Sequence, residues 1–209
     1  HDMTIFRDSG LYLGLIGCMN YPSAKSRDGV RQHIELAWSP DSYTWHRVSP
    51  GTPLIGHSPA KERKYGKMPY DWGALFPAAP VFVDDEIRIY YGASDWYFFD
   101  WRKGGLALAT LGKDRWAGYT QQDMERPARL TTVPLSFKGK VLVTADILGS
   151  MTVSLIDSEG GTIAVSDPVS KTCTGHALSW DRALKPEERE GVRLRFNLDR
   201  AKIYAFRFK

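Results

Sequence analysis

Three carboxylates and a run of aromatic rings are the residues of this chain whose types and spacing could do chemistry. Asp71 stands just ahead of a strand, in Asp71-Trp72-Gly73. Glu35 stands inside a strand, two residues after His33. Asp95 follows the small triplet Gly92-Ala93-Ser94 at the end of another strand. Two carboxyl groups held a few ångströms apart can divide acid–base work, one giving a proton to a leaving oxygen while the other activates water or attacks. The plain alternative for each is a paired or turn-capping carboxylate. Downstream, Asp95-Trp96-Tyr97-Phe98-Phe99-Asp100-Trp101 carries five aromatics between two strands. Such a loop offers flat faces for stacking or a contact surface for another chain, unless it folds back onto its own sheet. Trp72, Trp96 and Trp101 are the stacking candidates, with His33 as a polar partner.

Other chemistries find little support. The five histidines show no H-x-x-E-H or similar spacing, so no metal or other cofactor is expected. Ser39 and Ser94 lack a nucleophile-elbow context, and Gly104-Gly105 and Gly160-Gly161 read as turn glycines rather than a phosphate loop. The net charge of +4 is spread among acids without a basic block, which argues against nucleic acid. Lys61-Glu62-Arg63-Lys64 is a mixed-sign run that reads as a solvated loop face. No apolar run approaches the roughly 20 residues that span a bilayer. His1-Asp2-Met3 does not read as a native leader, so bacterial cytoplasm and secretion both stay open. Cys18 and Cys173 allow one bridge without implying it; two buried thiols are the simpler reading.

The elements that must position these residues are strands. Thr4 to Ile16 reads as strand, Asp8-Ser9-Gly10 turn, strand. Gln32 to Ser39 is a strand whose alternation sets Glu35 on the face opposite Ile34 and Leu36. A turn at Pro40-Asp41-Ser42 leads to a strand at Thr44 to Val48, and a long loop runs from Gly51 to Trp72. Ala78 to Val83, an Asp84-Asp85 turn and Ile87 to Tyr91 form a hairpin. The order then repeats: Ile5 to Leu13 aligns with Val81 to Ile89, Leu36-Ala37 with Leu108-Ala109, and Asp41 to Trp45 with Asp114 to Trp116. A repeated four-stranded meander is the mark of a β-propeller blade. From Ala128 onward come seven short strands with turns every 8 to 12 residues, the pattern of an antiparallel β-sandwich. Leu184 to Glu190 reads as one helical turn with Pro186 near its start.

Gly10-Leu11-Tyr12-Leu13-Gly14-Leu15, Glu35-Leu36-Ala37-Trp38-Ser39-Pro40-Asp41 with Trp45, Asp84 to Gly92, and the passage from Leu106-Ala107-Leu108-Ala109-Thr110 to Leu130-Thr131-Thr132 together carry a resemblance. The chain resembles the C-terminal half of bacterial five-bladed-propeller glycoside hydrolases, the group around families thirty-two and forty-three. In the members it most resembles, a small β-sandwich follows the propeller. The resemblance implies glycosidase chemistry through paired carboxylates, with no cofactor. Complete members carry three more blades ahead of this point, with one catalytic acid near their start. That leaves open a fragment, a truncated product, or a half that closes by oligomerising.

The expectation is therefore an all-β chain: a partial β-propeller of two four-stranded blades over residues 3–118 and a β-sandwich over residues 127–209. Its function is carbohydrate-active, a glycosidase with Asp71, Glu35 and Asp95 as candidate carboxylates and Trp96, Trp101, Trp72 and His33 contacting substrate. The alternative is a non-catalytic module that binds glycan or assembles with another chain. The expected partners are a carbohydrate and a second copy or missing blades, not nucleic acid or membrane.

Overall fold

The computed structural model describes residues 2–60 and 68–209, so the Lys61 to Lys64 run lies outside the described residues. The chain is all-β, with several antiparallel sheets, one short 3₁₀ turn and no α-helix among the described residues. No helix among them is long and apolar enough to cross a membrane. The chain divides into two compact units, residues 1–112 and 113–209.

The first unit holds two sheets. One is an antiparallel meander of β1 (Met3–Asp8), β2 (Leu11–Asn20), β3 (Arg31–Ser39) and β4 (His46–Arg47). Ser9 (φ 51°) and Gly10 (φ 83°) turn β1 into β2. Two successive left-handed residues match the right-handed twist of the strands they join. The second sheet departs from the expected four-strand repeat. Its long centre is β7 (Glu86–Ser94), flanked on one side by β8 (Gly104–Gly112). On the other side β6 (Val81–Val83) pairs with the start of β7 and β5 (Leu75–Pro77) with its end. Pro77 and Pro80 interrupt this edge, because a proline cannot donate to the ladder. The sheet thus has four strands, two of them sharing one edge of β7, and none follows β8 within it among the described residues. The two sheets meet where Gln32 bridges Ala74 and its Nε2 donates 2.8 Å to the Leu75 carbonyl. Leu15, Ile34, Leu75, Ile87 and Ile89 fill the unit's interior.

The second unit begins earlier than the repeat alignment expects. Asp114 accepts hydrogen bonds from Thr144 and Arg207, and β9 (Tyr119–Thr120) pairs with a strand near the C-terminus. Residues 113–120 are thereby tied to the second unit. Seven short strands were expected; instead two 16-residue strands, β11 (Val141–Ile156) and β14 (Arg193–Phe208), run antiparallel along each other. Each joins two of the expected short strands across an irregularity between Ile147 and Ser150. β10 (Ala128–Thr131) flanks β14, while β12 (Thr162–Val165) and β13 (Cys173–Ala177) flank β11 at opposite ends. Residues from both halves of the long pair, among them Val143, Met151, Leu155, Phe196 and Ile203, share one core. The expected helical turn is the 3₁₀ segment Pro186–Arg189.

Candidate functional site

Strand register builds the site in the first unit. Cys18 of β2 lies directly opposite His33 of β3, and Glu35 follows two residues on, on the same face. β3 is buried along nearly its whole length, so the face that carries Glu35, opposite Ile34 and Leu36, is interior as well. The cause is the segment after β4: Ile34 exchanges backbone hydrogen bonds with Ile55, and Val48 donates to the Leu36 carbonyl. This return covers β3 and brings His57 into the site.

Glu35 is 1% exposed and every oxygen is engaged. Arg47 donates to Oε2 from Nε at 2.8 Å and from Nη2 at 2.5 Å. Oε1 accepts from the Gly51 amide at 3.0 Å and faces His33 Nε2 at 2.8 Å. Burial raises the carboxyl pKa, but the hydrogen bonds from Arg47, His33 and Gly51 together outweigh it and leave the group below its ordinary value. Glu35 is held as an anion. Asn20 Nδ2 lies 2.7 Å from His33 Nδ1, so both nitrogens of that ring are occupied.

His57 differs. Neither ring nitrogen has a hydrogen-bond partner by distance and angle among the described residues, although the Asp71 backbone lies close enough to act on the ring. Burial first, then the charges of Arg31 and His33, pushes this imidazole down to about 4. It is therefore neutral near pH 7. Asp71 is 8% exposed, and its Oδ1 also lacks a partner. Cys18, His33, Glu35, Arg47 and His57 line a cavity of about 430 Å³. Asn20 also lines an adjoining cleft of about 320 Å³ whose other walls include Tyr21, Arg31, Trp72 and Tyr97. The Arg31 guanidinium sits 4.8 Å over the Trp72 ring.

The aromatic loop mostly folds back. Trp72 packs on Trp96 at 5.7 Å and on Tyr97 at 5.1 Å between ring centroids. Phe98 donates its amide to the Val30 carbonyl at 2.7 Å. Trp101 alone of the three tryptophans stands out, at 92% exposure, beside a separate hollow with Phe76 and Arg102. Asp95 closes the loop base: its Oδ1 accepts the Lys103 amide at 2.8 Å. The geometry gathers Glu35 and His33 in one cavity and Trp72 and Trp96 in one aromatic stack. Asp71, Trp96, Asp95 and Trp101 lie outside both sets of lining residues. Cys18, Arg47 and His57 were not foreseen. The β2–β3 register could have exposed Cys18, since it stands opposite His33; nothing local marks His57, which the loop delivers.

No family model and no curated protein matches this chain. Among solved structures it is similar to a glycoside hydrolase family 43 arabinoxylan arabinofuranohydrolase from Bacillus subtilis, determined in complex with cellotetraose. Identity is 11% and the TM-score 0.28, over 99% of this chain and 53% of that one. The chain thus spans about half the length of that neighbour, and likeness at this level transfers neither architecture nor activity.

Proposed function

We propose that this chain is a carbohydrate-active protein that seats a sugar in the cleft of Tyr21, Arg31, Trp72 and Tyr97. The observation that carries the reading is the make-up of this cleft: aromatic and cationic walls next to a polar cavity, with Asn20 common to both. Sugars combine apolar C–H faces with hydroxyl pairs, so they suit aromatic walls ringed by a few amide and guanidinium donors. Within a hydrolytic mechanism, Asp71 is the carboxylate of interest. It adjoins Trp72, is nearly buried, and keeps an oxygen free of partners. Glu35 is unsuited to proton donation, since Arg47, His33 and Gly51 stabilise its anion. Its role is to anchor the cavity wall.

A second reading, a non-catalytic glycan-binding module, follows from that same engagement of Glu35, the one carboxylate among the lining residues, since Asp71 adjoins the cleft only through Trp72. One experiment separates the two. The chain is titrated with a panel of neutral oligosaccharides by tryptophan fluorescence and assayed on the matching aryl glycosides. Hydrolysis that Asp71→Asn abolishes while binding persists supports the enzyme. Binding without hydrolysis supports the module. Absence of both contradicts the carbohydrate reading.

A further inference from the structure

We infer that Cys18, His33 and Glu35 form a binding site for a zinc-class divalent cation. The metal-binding atoms of the three side chains all lie within 4.8 Å of one another, at the wall of the 430 Å³ cavity. Zinc bonds of about 2.3 Å to sulfur and about 2.0–2.1 Å to nitrogen or oxygen put tetrahedral ligand atoms roughly 3.3–3.6 Å apart. His33 Nε2 and Glu35 Oε1, now 2.8 Å apart, need to open by about half an ångström, and any spacing near the 4.8 Å limit of the group to close, for the three to hold the ion. The thiol and the ring already face each other across the β2–β3 ladder, because Cys18 and His33 are register partners.

The surroundings suit a metal as well as the ligands do. Arg47 engages Oε2, in the way an outer partner orients a metal-bound carboxylate, and Oε1, which also accepts the Gly51 amide, offers its other lone pair to the ion in place of His33. Asn20 sits 2.7 Å from His33 Nδ1, and with its amide turned over its oxygen would accept the Nδ1 proton and fix the tautomer that presents Nε2. A thiolate, a neutral imidazole and a carboxylate carry two negative charges, which offset a divalent ion. Sulfur and nitrogen donors select zinc over calcium or magnesium, which take oxygen.

Three protein ligands leave a fourth position open to the cavity. His57 lines the same cavity, its ring centroid 6.2 Å from that of His33, but it is not among the three residues whose ligand atoms lie together. The site needs only those three. The inference does not rest on the sugar reading, because the metal alone is the probe.

The test is a competition titration of the full chain with zinc against a chromophoric chelator, followed by cobalt substitution. One ion per chain is expected, together with thiolate-to-cobalt charge-transfer absorption. Cys18→Ser and His33→Gln should each weaken zinc binding by more than the roughly 10–100-fold that loss of an outer partner costs, while Asn20→Ala should fall within that range. Cys173→Ser should bind as the unaltered chain does. Should the variants fail to fold, alkylation of the unaltered chain decides: zinc must protect Cys18 and leave Cys173 reactive. Equal affinity in the Cys18 and His33 variants, or no protection of Cys18, overturns the inference.

Discussion

Glu35 and Arg47 form an asymmetric pair. The carboxylate side chain is 1% exposed and the guanidinium 44%. Removing either partner therefore has unequal consequences. Arg47→Ala strands a buried anion and should be the more destabilising of the two. Glu35→Gln leaves Arg47 able to turn to water and keeps one acceptor oxygen, so about 2 kcal/mol is expected. Urea unfolding of both variants checks the order; an Arg47→Ala variant as stable as Glu35→Gln would show that the pair is not the buried anchor described. In the sequence, alternation set Glu35 on the face opposite Ile34 and Leu36. It could not show that residues 48 to 55 return along β3 and leave that face interior too.

At the scale of elements, Gly73 holds the aromatic stack in place. A Cβ there would stand 1.7 Å from the Trp96 carbonyl oxygen, and a backbone atom has little room to yield. Gly73→Ala should cost about 3 kcal/mol, at the upper end of overpacking, and should disturb the Trp72–Trp96 contact. Denaturation followed by tryptophan fluorescence reads both effects. In the second unit, the 3₁₀ turn is closed by Glu188, which accepts from Arg182 at 2.9 and 2.8 Å and from the Lys185 amide at 2.8 Å. The Arg182 hydrogen bonds first, then the Lys185 amide, hold this carboxyl down to about 2. A carboxyl lowered in the fold adds stability above its unfolded value, and that stability is lost as pH falls from about 4.5 toward 2. Glu188→Gln should flatten this part of the acid-unfolding profile without changing its slope near pH 7. Hairpin turns at Asp8-Ser9-Gly10 and Asp84-Asp85, and the turn begun by Pro186, were legible because local chemistry decides them. The fate of residues 113–120 was not. Their resemblance to Asp41–Trp45 is local, whereas the pairing of β9 with β14 bridges about 80 residues.

At the scale of the whole molecule, the all-β class was legible from alternation and turn spacing, but the number of strands was not. The joining of short strands into β11 and β14 depends on pairing across the sheet rather than on local pattern. The second sheet of the first unit also turns an apolar face outward. Tyr90 and Leu108 are cross-strand partners on it, and Leu106, at 77% exposure, is the next outward residue along β8. Contiguous outward apolar residues are a means of chain-to-chain contact, and self-association through them is the prediction. Light scattering should show association at high concentration, and a Leu106→Lys, Leu108→Lys double variant should remain monomeric. A monomer at all concentrations would make the face a bare surface rather than an interface.

The central claim is that the Tyr21, Arg31, Trp72 and Tyr97 cleft receives a sugar. Calorimetric titration of the unaltered chain and of Arg31→Ala with neutral oligosaccharides tests it most directly. Arg31 touches the cleft through its guanidinium, so its loss should leave the fold intact and weaken binding about tenfold, the effect of roughly one hydrogen bond. Equal affinity in the two proteins, or no binding in the first, would contradict the account.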